Sequence, residues 1–106
     1  MRYRLVRKER YGPEGLTRIV IISDEDAIGR SGVSDDGEVV LRVPEFLAEG
    51  ELVGDEEAIQ ALSSADVAVL YGENITELAV RLGYASADSV LDVKGLKHVQ
   101  IFKIMY

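Results

Sequence analysis

The chain of 106 residues contains no cysteine and a single histidine, His98. Without cysteine, disulfide bonds and thiol catalysis are excluded, and the composition is typical of an intracellular protein. A zinc site is not expected, because one histidine without cysteine does not supply the usual nitrogen and sulfur ligands. We therefore predict a cytoplasmic protein that holds no metal.

Long hydrophobic runs and nucleotide-binding motifs are also missing. The apolar runs reach at most five residues, whereas a membrane-spanning helix needs about 20. The first eight residues contain no run typical of a signal peptide. Because neither a Gly-x-Gly-x-x-Gly pattern nor a P-loop is present, we expect a soluble protein without a cofactor.

The net charge of −7 is distributed unevenly along the chain. Residues 1–22 carry six basic and two acidic side chains, residues 23–77 carry two and fifteen, and residues 78–106 carry four and two. A protein that binds nucleic acid over its whole surface would be basic overall, so the acidic middle of the chain argues against this class. Two alternatives remain: a local basic patch built from both ends, or an acidic surface that only maintains solubility.

The hydrophobic pattern predicts one α+β domain over residues 1–106. Residues 3–8 and 17–22 are typical of strands, and Gly12-Pro13-Glu14-Gly15 is a turn signal, which indicates an antiparallel hairpin with a long loop. Strands and helices intermix along the chain, with hairpins at both ends, so we expect a two-layer domain whose mixed sheet carries helices mainly on one face. Further strands are predicted over residues 38–43, 52–53, 67–71, 90–93 and 98–105, and helices after Ser23, Pro44, Asp55 and Asn74.

Residues 67–82 are expected to organise the fold. The apolar run VAVLY predicts a strand that is covered on both faces. Asn74 and Glu77 form a capping-box pattern at the start of the next helix, and Gly83 is typical of a helix end. In the same way, Ser23 is expected to cap a short helix, and Asp35-Asp36-Gly37 is typical of a turn rather than of a calcium loop.

Three segments resemble an archaeal family known as domain of unknown function 424. They are SDEDAIGR at residues 23–30, LYGE at residues 70–73 and GLKHVQ at residues 95–100. Members of that family often carry Cys, Asn and Pro where this chain has Ser23, Val69 and Lys97, so chemistry that needs that Cys or Asn is absent here. The resemblance implies no established activity, but it implies a link to translation, because the family's genes lie near those of initiation factors.

His98 is the most attractive candidate for chemistry, because histidine changes its charge near neutral pH. It is interpreted either as a general base oriented by Asp92, or as a ligand-facing group beside Gln100, or as a strand-end histidine that bonds to a backbone carbonyl. Glu73 lies at a strand-to-helix turn and is the third weak catalytic candidate. Lacking a visible nucleophile, the sequence leaves these alternatives open.

The N-terminus interleaves basic and aromatic residues. Alternation along a strand puts Arg2, Arg4 and Lys8 on one side and Tyr3 and Leu5 on the other. This pattern is typical either of contact with nucleic acid phosphates and bases or of an exposed strand that charge protects from aggregation.

Together with the link to translation that the resemblance implies, these patterns favour a non-enzymatic binding or accessory protein whose partner is a protein factor, the ribosome or RNA and not a membrane. The alternative is a small-molecule enzyme or ligand binder with a cleft formed by Glu73, Asp92 and His98, and a self-associating structural protein is a third possibility. If the first and last strands lie close, both ends form one basic patch. The residues expected to bind are Arg2, Arg4, Lys8, Lys94, Lys97, His98 and Gln100.

Overall fold

The computed structural model describes residues 1–103. Within these residues the chain forms strands, two α-helices and three short 3-10 helices. The strands and α-helices are β1 (Tyr3–Gly12), β2 (Gly15–Asp24), β3 (Ser31–Val33), β4 (Val40–Arg42), β5 (Glu51–Val53), α1 (Asp55–Ser64), β6 (Val67–Tyr71), α2 (Glu73–Arg81), β7 (Leu91–Val93) and β8 (Leu96–Phe102).

The main sheet has six strands in the order β5-β1-β2-β6-β8-β7. The pair β2 and β6 is parallel and the other neighbours are antiparallel. A parallel pair needs a long crossover, and residues 25–66 provide it. The prediction of an α+β fold with a mixed sheet is therefore confirmed.

Both α-helices pack on the same side of this sheet, which we call the helix face. Alternation along the strands points one set of apolar side chains to this side, where they form the larger hydrophobic core. The sheet contributes Leu5, Ile22, Leu70 and Val99, and the helices contribute Ala58, Ala61, Leu62, Ile75, Leu78 and Ala79. The expected placement of the helices on one face is confirmed.

The opposite side of the sheet, the back face, is only partly covered. The covering segment, residues 25–49, contains two 3-10 helices and the β3–β4 hairpin, and we call it the cover. Its Leu41, Val43 and Leu47 form a second core with Val93 and Leu96 of the sheet. The cover does not reach the start of β6, which leaves part of the back face open.

The strand prediction for VAVLY was wrong in one respect. Ala68 and Leu70 are buried on the helix face, but Val67 and Val69 are half-exposed on the back face. Within residues 1–103 these two valines belong to neither hydrophobic core. A continuous apolar run therefore does not report burial on both faces here.

The first hairpin is tighter than predicted, because β1 and β2 pair up to Gly12 and Gly15 and leave only two residues in the turn. Residues 31–33, for which no strand was predicted, form β3 and pair with β4. The last strand ends at Phe102. Of the remainder of its predicted range, Lys103 is not in a strand, and residues 104 and 105 lie outside the described residues. Within residues 1–103 neither α-helix is long and apolar enough to cross a membrane.

Candidate binding site

The start of α2 is held by a side chain from a distant part of the chain. Asp24, at the end of β2, is only 3% exposed. Its carboxylate oxygens accept hydrogen bonds from the backbone N–H groups of Asn74 (2.8 Å) and Ile75 (2.9 Å). These are two of the N–H groups that a helix leaves without internal partners. The predicted capping box of Asn74 and Glu77 is therefore wrong, because helix α2 already begins at Glu73, so that Asn74 lies within the helix, and Asp24 takes the capping role.

Gly72 makes this close approach possible. Its backbone angles, φ 114° and ψ 156°, lie in a region that only glycine adopts readily. A Cβ atom at Gly72 would lie 2.5 Å from the Cγ atom of Asp24, far inside van der Waals contact. The glycine of the LYGE segment thus has two structural reasons to be glycine.

Burial shapes the charge of the capping group. Burial raises the pKa of Asp24 above its ordinary value, and the two N–H bonds from α2 lower it in part. The neighbouring carboxylates of Asp26 and Glu73 raise the pKa further.

Ser23, expected to cap a short helix, lies instead inside β2, and its hydroxyl donates to the carbonyl oxygen of Asp24 at 2.8 Å.

The three segments of the family resemblance meet at this end of the sheet. Ser23 pairs with Tyr71, and Tyr71 pairs with His98. One residue from each segment therefore lies in the same row of paired residues across the sheet, which we call a rung. The rings of Tyr71 and His98 are stacked, with centroids 4.5 Å apart and an interplanar angle of 18°. Segments that are far apart in the sequence therefore form one local unit.

His98 is held by the backbone and not by a carboxylate. The carbonyl oxygen of Leu70 accepts a hydrogen bond from Nδ1 of His98 at 2.9 Å, so Nδ1 carries the proton, because a carbonyl only accepts. Burial lowers the pKa of His98, and the bond to Leu70 raises it in part. The neutral ring then presents Nε2 as an acceptor, 3.5 Å from the side-chain nitrogen of Gln100.

The three catalytic candidates do not converge. Asp92 accepts a hydrogen bond from the backbone N–H of Gly95 at 2.8 Å, and it pairs with Lys97, whereas His98 pairs with Leu91. Adjacent residues of a strand point to opposite faces, so Asp92 does not orient His98, contrary to one interpretation of the sequence. Glu73 is exposed on the first turn of α2. Four surface cavities of residues 1–103 are lined by other residues.

The predicted single basic patch depended on β1 lying close to β8. Two strands separate them, which puts their axes about 14 Å apart. Lys97 points to the helix face beside Glu77 and Arg81, and the Nζ atom of Lys94 lies 3.4 Å from a carboxylate oxygen of Asp35. The patch as predicted does not form.

Four of the seven predicted binding residues nevertheless share the back face. Arg4 lies on the rung of Ser23, Tyr71 and His98, where its guanidinium donates to the carbonyl oxygen of Gly50 at 3.1 Å. The other two are Lys8, whose Nζ atom lies 5.4 Å from the ring centroid of Phe46 in the cover, and Gln100. Arg2 lies apart from them, lining a shallow cavity with Asp24 and other acidic residues.

Two rungs of the back face carry aliphatic residues on both central strands. One rung runs from Lys8 through Ile19 and Val67 to Phe102. The next runs from Val6 through Ile21 and Val69 to Gln100. On the first rung β1 supplies a cation and β8 an aromatic ring, whereas on the second β1 supplies a further aliphatic group and β8 an amide.

The first hairpin extends this surface beyond the sheet. Residues 7–18, which we call the arm, lie past the last pairs of β1 with β5 and of β2 with β6, and all are exposed or half-exposed. Lys8 and Arg10 point to the back face, while Glu9 pairs with Arg18 on the helix face. The back side of the arm between the sheet and its turn therefore carries two cations and no carboxylate.

Arg10 and Phe102 belong to this surface but were not among the predicted binding residues. Both continue the alternation of predicted residues, since Arg10 follows Lys8 by two positions and Phe102 follows Gln100 by two. Period-two alternation was therefore a sufficient signal for both. Nothing local indicated that Asp24 caps a helix 50 residues further along the chain.

A mixed six-stranded sheet with both α-helices on one face and a short hairpin on the other defines the chain as an α+β protein. The model of a family described as a protein of unknown function (DUF424) matches residues 11–104, so the chain belongs to that family. The resemblance of the three segments is thereby confirmed.

One solved structure is similar over the whole chain. It is the crystal structure of an uncharacterized conserved protein from the archaeon Methanopyrus kandleri, with a TM-score of 0.66 and 19% identity, covering 100% of this chain and 97% of that one. At this identity the similarity establishes the fold. No curated protein matches the chain.

Proposed function

We propose that this protein is a cytoplasmic, non-enzymatic accessory protein of translation that binds RNA through the back face and the arm. The observation that carries the proposal is the alignment of cations on β1. Lys8 and Arg10 lie on one face, two residues apart, and their rungs hold no acidic side chain on β2. Phosphate contacts by lysine and arginine supply most of the affinity of such proteins.

The surrounding charge fits a local site rather than a general one. The cover carries seven acidic and two basic residues, and the whole chain has a net charge of −7. Exposed charges act over about one Debye length, roughly 8–10 Å at physiological salt. RNA is therefore expected to contact only the arm and the adjoining sheet, with an affinity that falls steeply as salt rises.

The placement of the catalytic candidates supports binding over catalysis. His98 is engaged by the Leu70 carbonyl and Asp92 by a backbone N–H of its own turn. An acid–base site needs such groups to face one substrate at hydrogen-bonding distance. A nonspecific RNA-binding role requires only the cations and an accessible face.

The test is a titration of the protein into a fluorescein-labelled RNA of about 16 nucleotides, followed by fluorescence anisotropy from about 50 to about 200 mM potassium chloride. Each phosphate contact on a single strand contributes about 0.7 to the slope of log affinity against log salt. The variant Lys8→Glu with Arg10→Glu should bind more weakly and show a slope smaller by about 1.4.

The matched control is Arg30→Glu with Arg42→Glu, which makes the same change of charge at exposed positions of the cover. This control should retain most of the wild-type affinity. An equal loss in both variants would mean that only net charge matters, and it would contradict a site on the arm. Absence of wild-type binding at the lowest salt would refute the RNA proposal altogether.

A further inference from the structure

A mostly apolar strip of the back face lies outside both hydrophobic cores. It consists of Ile19, Val67, Val69, Gln100 and Phe102, which we call the open strip. The three aliphatic residues are half-exposed and, within residues 1–103, belong to neither hydrophobic core. The Phe102 side chain is 62% exposed. An aromatic ring that is held at this exposure on a sheet is available for contact with a ligand.

Charged and polar side chains border the open strip on two sides. Lys8 lies on the same rung as Ile19, Val67 and Phe102, and Arg10 lies two residue pairs further out on the arm. On the side of β8, Gln100 and the Nε2 atom of His98 offer hydrogen-bonding groups. The strip and its border thus combine cations that can contact phosphates, an aromatic face, and polar groups that can form hydrogen bonds with the edge of a ligand's ring.

We infer that the open strip is a stacking platform for unpaired bases, so that the protein prefers single-stranded RNA to duplex RNA. This inference rests on the proposed RNA-binding function and names the form of RNA that it takes. Bases stack on aromatic side chains whatever their identity, because every base has a π-face. In a duplex those faces are buried in the stack, so a duplex offers only its phosphates and grooves to Lys8 and Arg10.

The size of the open strip favours this occupant over a second copy of the chain. The strip spans three strands, or about 10 Å, and about 7 Å along them. A stable dimer buries about 800 Å² on each partner, which is several times the area of the strip. One or two bases, by contrast, would cover it.

The test compares two probes and three proteins by fluorescence anisotropy at low salt. The probes are a labelled uridine-rich strand of about 16 nucleotides and the same strand annealed to its complement. Wild type should bind the single strand more tightly, and Phe102→Ala should weaken that binding by roughly 5- to 150-fold while leaving duplex binding unchanged. Phe102→Tyr, which retains an aromatic face, should restore the preference.

Tyr11→Ala is the matched control, because Tyr11 is an aromatic residue of the arm that is 79% exposed and points to the helix face with its partner Leu16. It should leave the ratio of single-strand to duplex affinity unchanged. Circular dichroism would verify that each variant is folded, which the exposure of both rings favours.

The outcomes separate this inference from the proposed function. If wild type binds neither probe, both are refuted. If it binds the two probes equally and Phe102→Ala changes neither, RNA binding stands and the stacking platform is overturned. Phe102→Ala that abolishes self-association in sedimentation, with single-strand binding intact, would instead assign the strip to a second copy and overturn the inference.

Discussion

Replacing Asp24 with alanine is expected to lower the free energy of unfolding by about 3 kcal/mol. The carboxylate accepts two N–H hydrogen bonds at 2.8 and 2.9 Å, and bonds to a charged partner contribute about 1.5–3 kcal/mol each. We take the low end of that range because the pKa of Asp24 is raised by burial, which means that desolvation of the charged form offsets part of the gain. The variant also leaves the N–H of buried Ile75 without its acceptor.

Asn74→Ala is the decisive control. The sequence pattern assigns the capping of α2 to the Asn74 side chain, whereas in the structure only its backbone N–H takes part, and alanine retains that group. Position 74 lies within the helix, where alanine has the better helix propensity. The free energy of unfolding should therefore change by no more than about 0.5 kcal/mol.

Urea denaturation followed by far-UV circular dichroism measures both variants. With a slope of about 1–2 kcal/mol per molar urea, the loss for Asp24→Ala corresponds to a midpoint lower by about 1.5–3 M. The opposite ranking, with Asn74→Ala the more damaging variant, would refute the capping of α2 by Asp24. So would an Asp24→Ala protein as stable as wild type.

Three further predictions concern the same end of the sheet. Gly72→Ala should lower the free energy of unfolding by about 3 kcal/mol or more, because the backbone would be strained and the new Cβ atom would overlap Asp24. Gly83→Ala, at a φ of 82° with open space around it, should lower it by only about 1–2 kcal/mol in the same denaturation assay. Because burial raises the pKa of Asp24 in the folded protein, folding favours the protonated form of this carboxyl group. The free energy of unfolding of wild type relative to Asp24→Asn should therefore fall as pH rises above about 4, the pKa of an aspartate in the unfolded chain. Urea titrations over a pH series measure this difference. Because burial lowers the pKa of His98, NMR titration of this single imidazole should give a pKa below about 6.5. The free energy of unfolding of wild type should fall as pH decreases from about 6.5 towards the pKa of His98 in the folded protein, and His98→Gln should not show this fall.

The parts of the fold that the sequence predicted correctly depend on neighbours in the chain. The β1–β2 hairpin, β6 with the helix after it, and the end of that helix at Gly83 all follow from short-range patterns of turn residues and apolar spacing. Gly83 indeed has a φ of 82°, and the backbone N–H of Tyr84 closes the helix end on the carbonyl of Ala79 at 2.8 Å. Such signals lie within one or two turns of chain and are visible in the sequence.

The errors concern contacts between residues that are distant in sequence. Asn74 has the right composition and position for an N-cap, but a buried carboxylate from β2 satisfies the same N–H groups. Residues 31–33, Ser-Gly-Val, carry no strand pattern, yet they pair with β4, because the backbone groups of a segment that packs on a sheet need hydrogen-bond partners. Tertiary context overrides a local preference at both places.

The candidate site, like the fold, was predictable only where neighbouring residues in the chain determine it. Alternation correctly grouped Arg4 with Lys8, and extended by one step it would have added Arg10 and Phe102. The strand order was not predictable, because nothing in β1 or β8 specifies that β2 and β6 lie between them. A patch of basic residues from both ends therefore becomes a surface that has its cations on one side and its aromatic group on the other.

The residues that define the family resemblance have structural roles that account for several of their identities. Asp24 caps α2, Gly72 makes room for Asp24, and His98 bonds to the backbone of β6 while it stacks on Tyr71. None of these contacts needs a ligand. Lys8, Arg10 and Phe102, in contrast, are exposed, and no core contact fixes their chemistry. Substitutions at the first group should therefore change stability, and substitutions at the second should change binding; a variant of the second group that unfolds the protein would contradict this division.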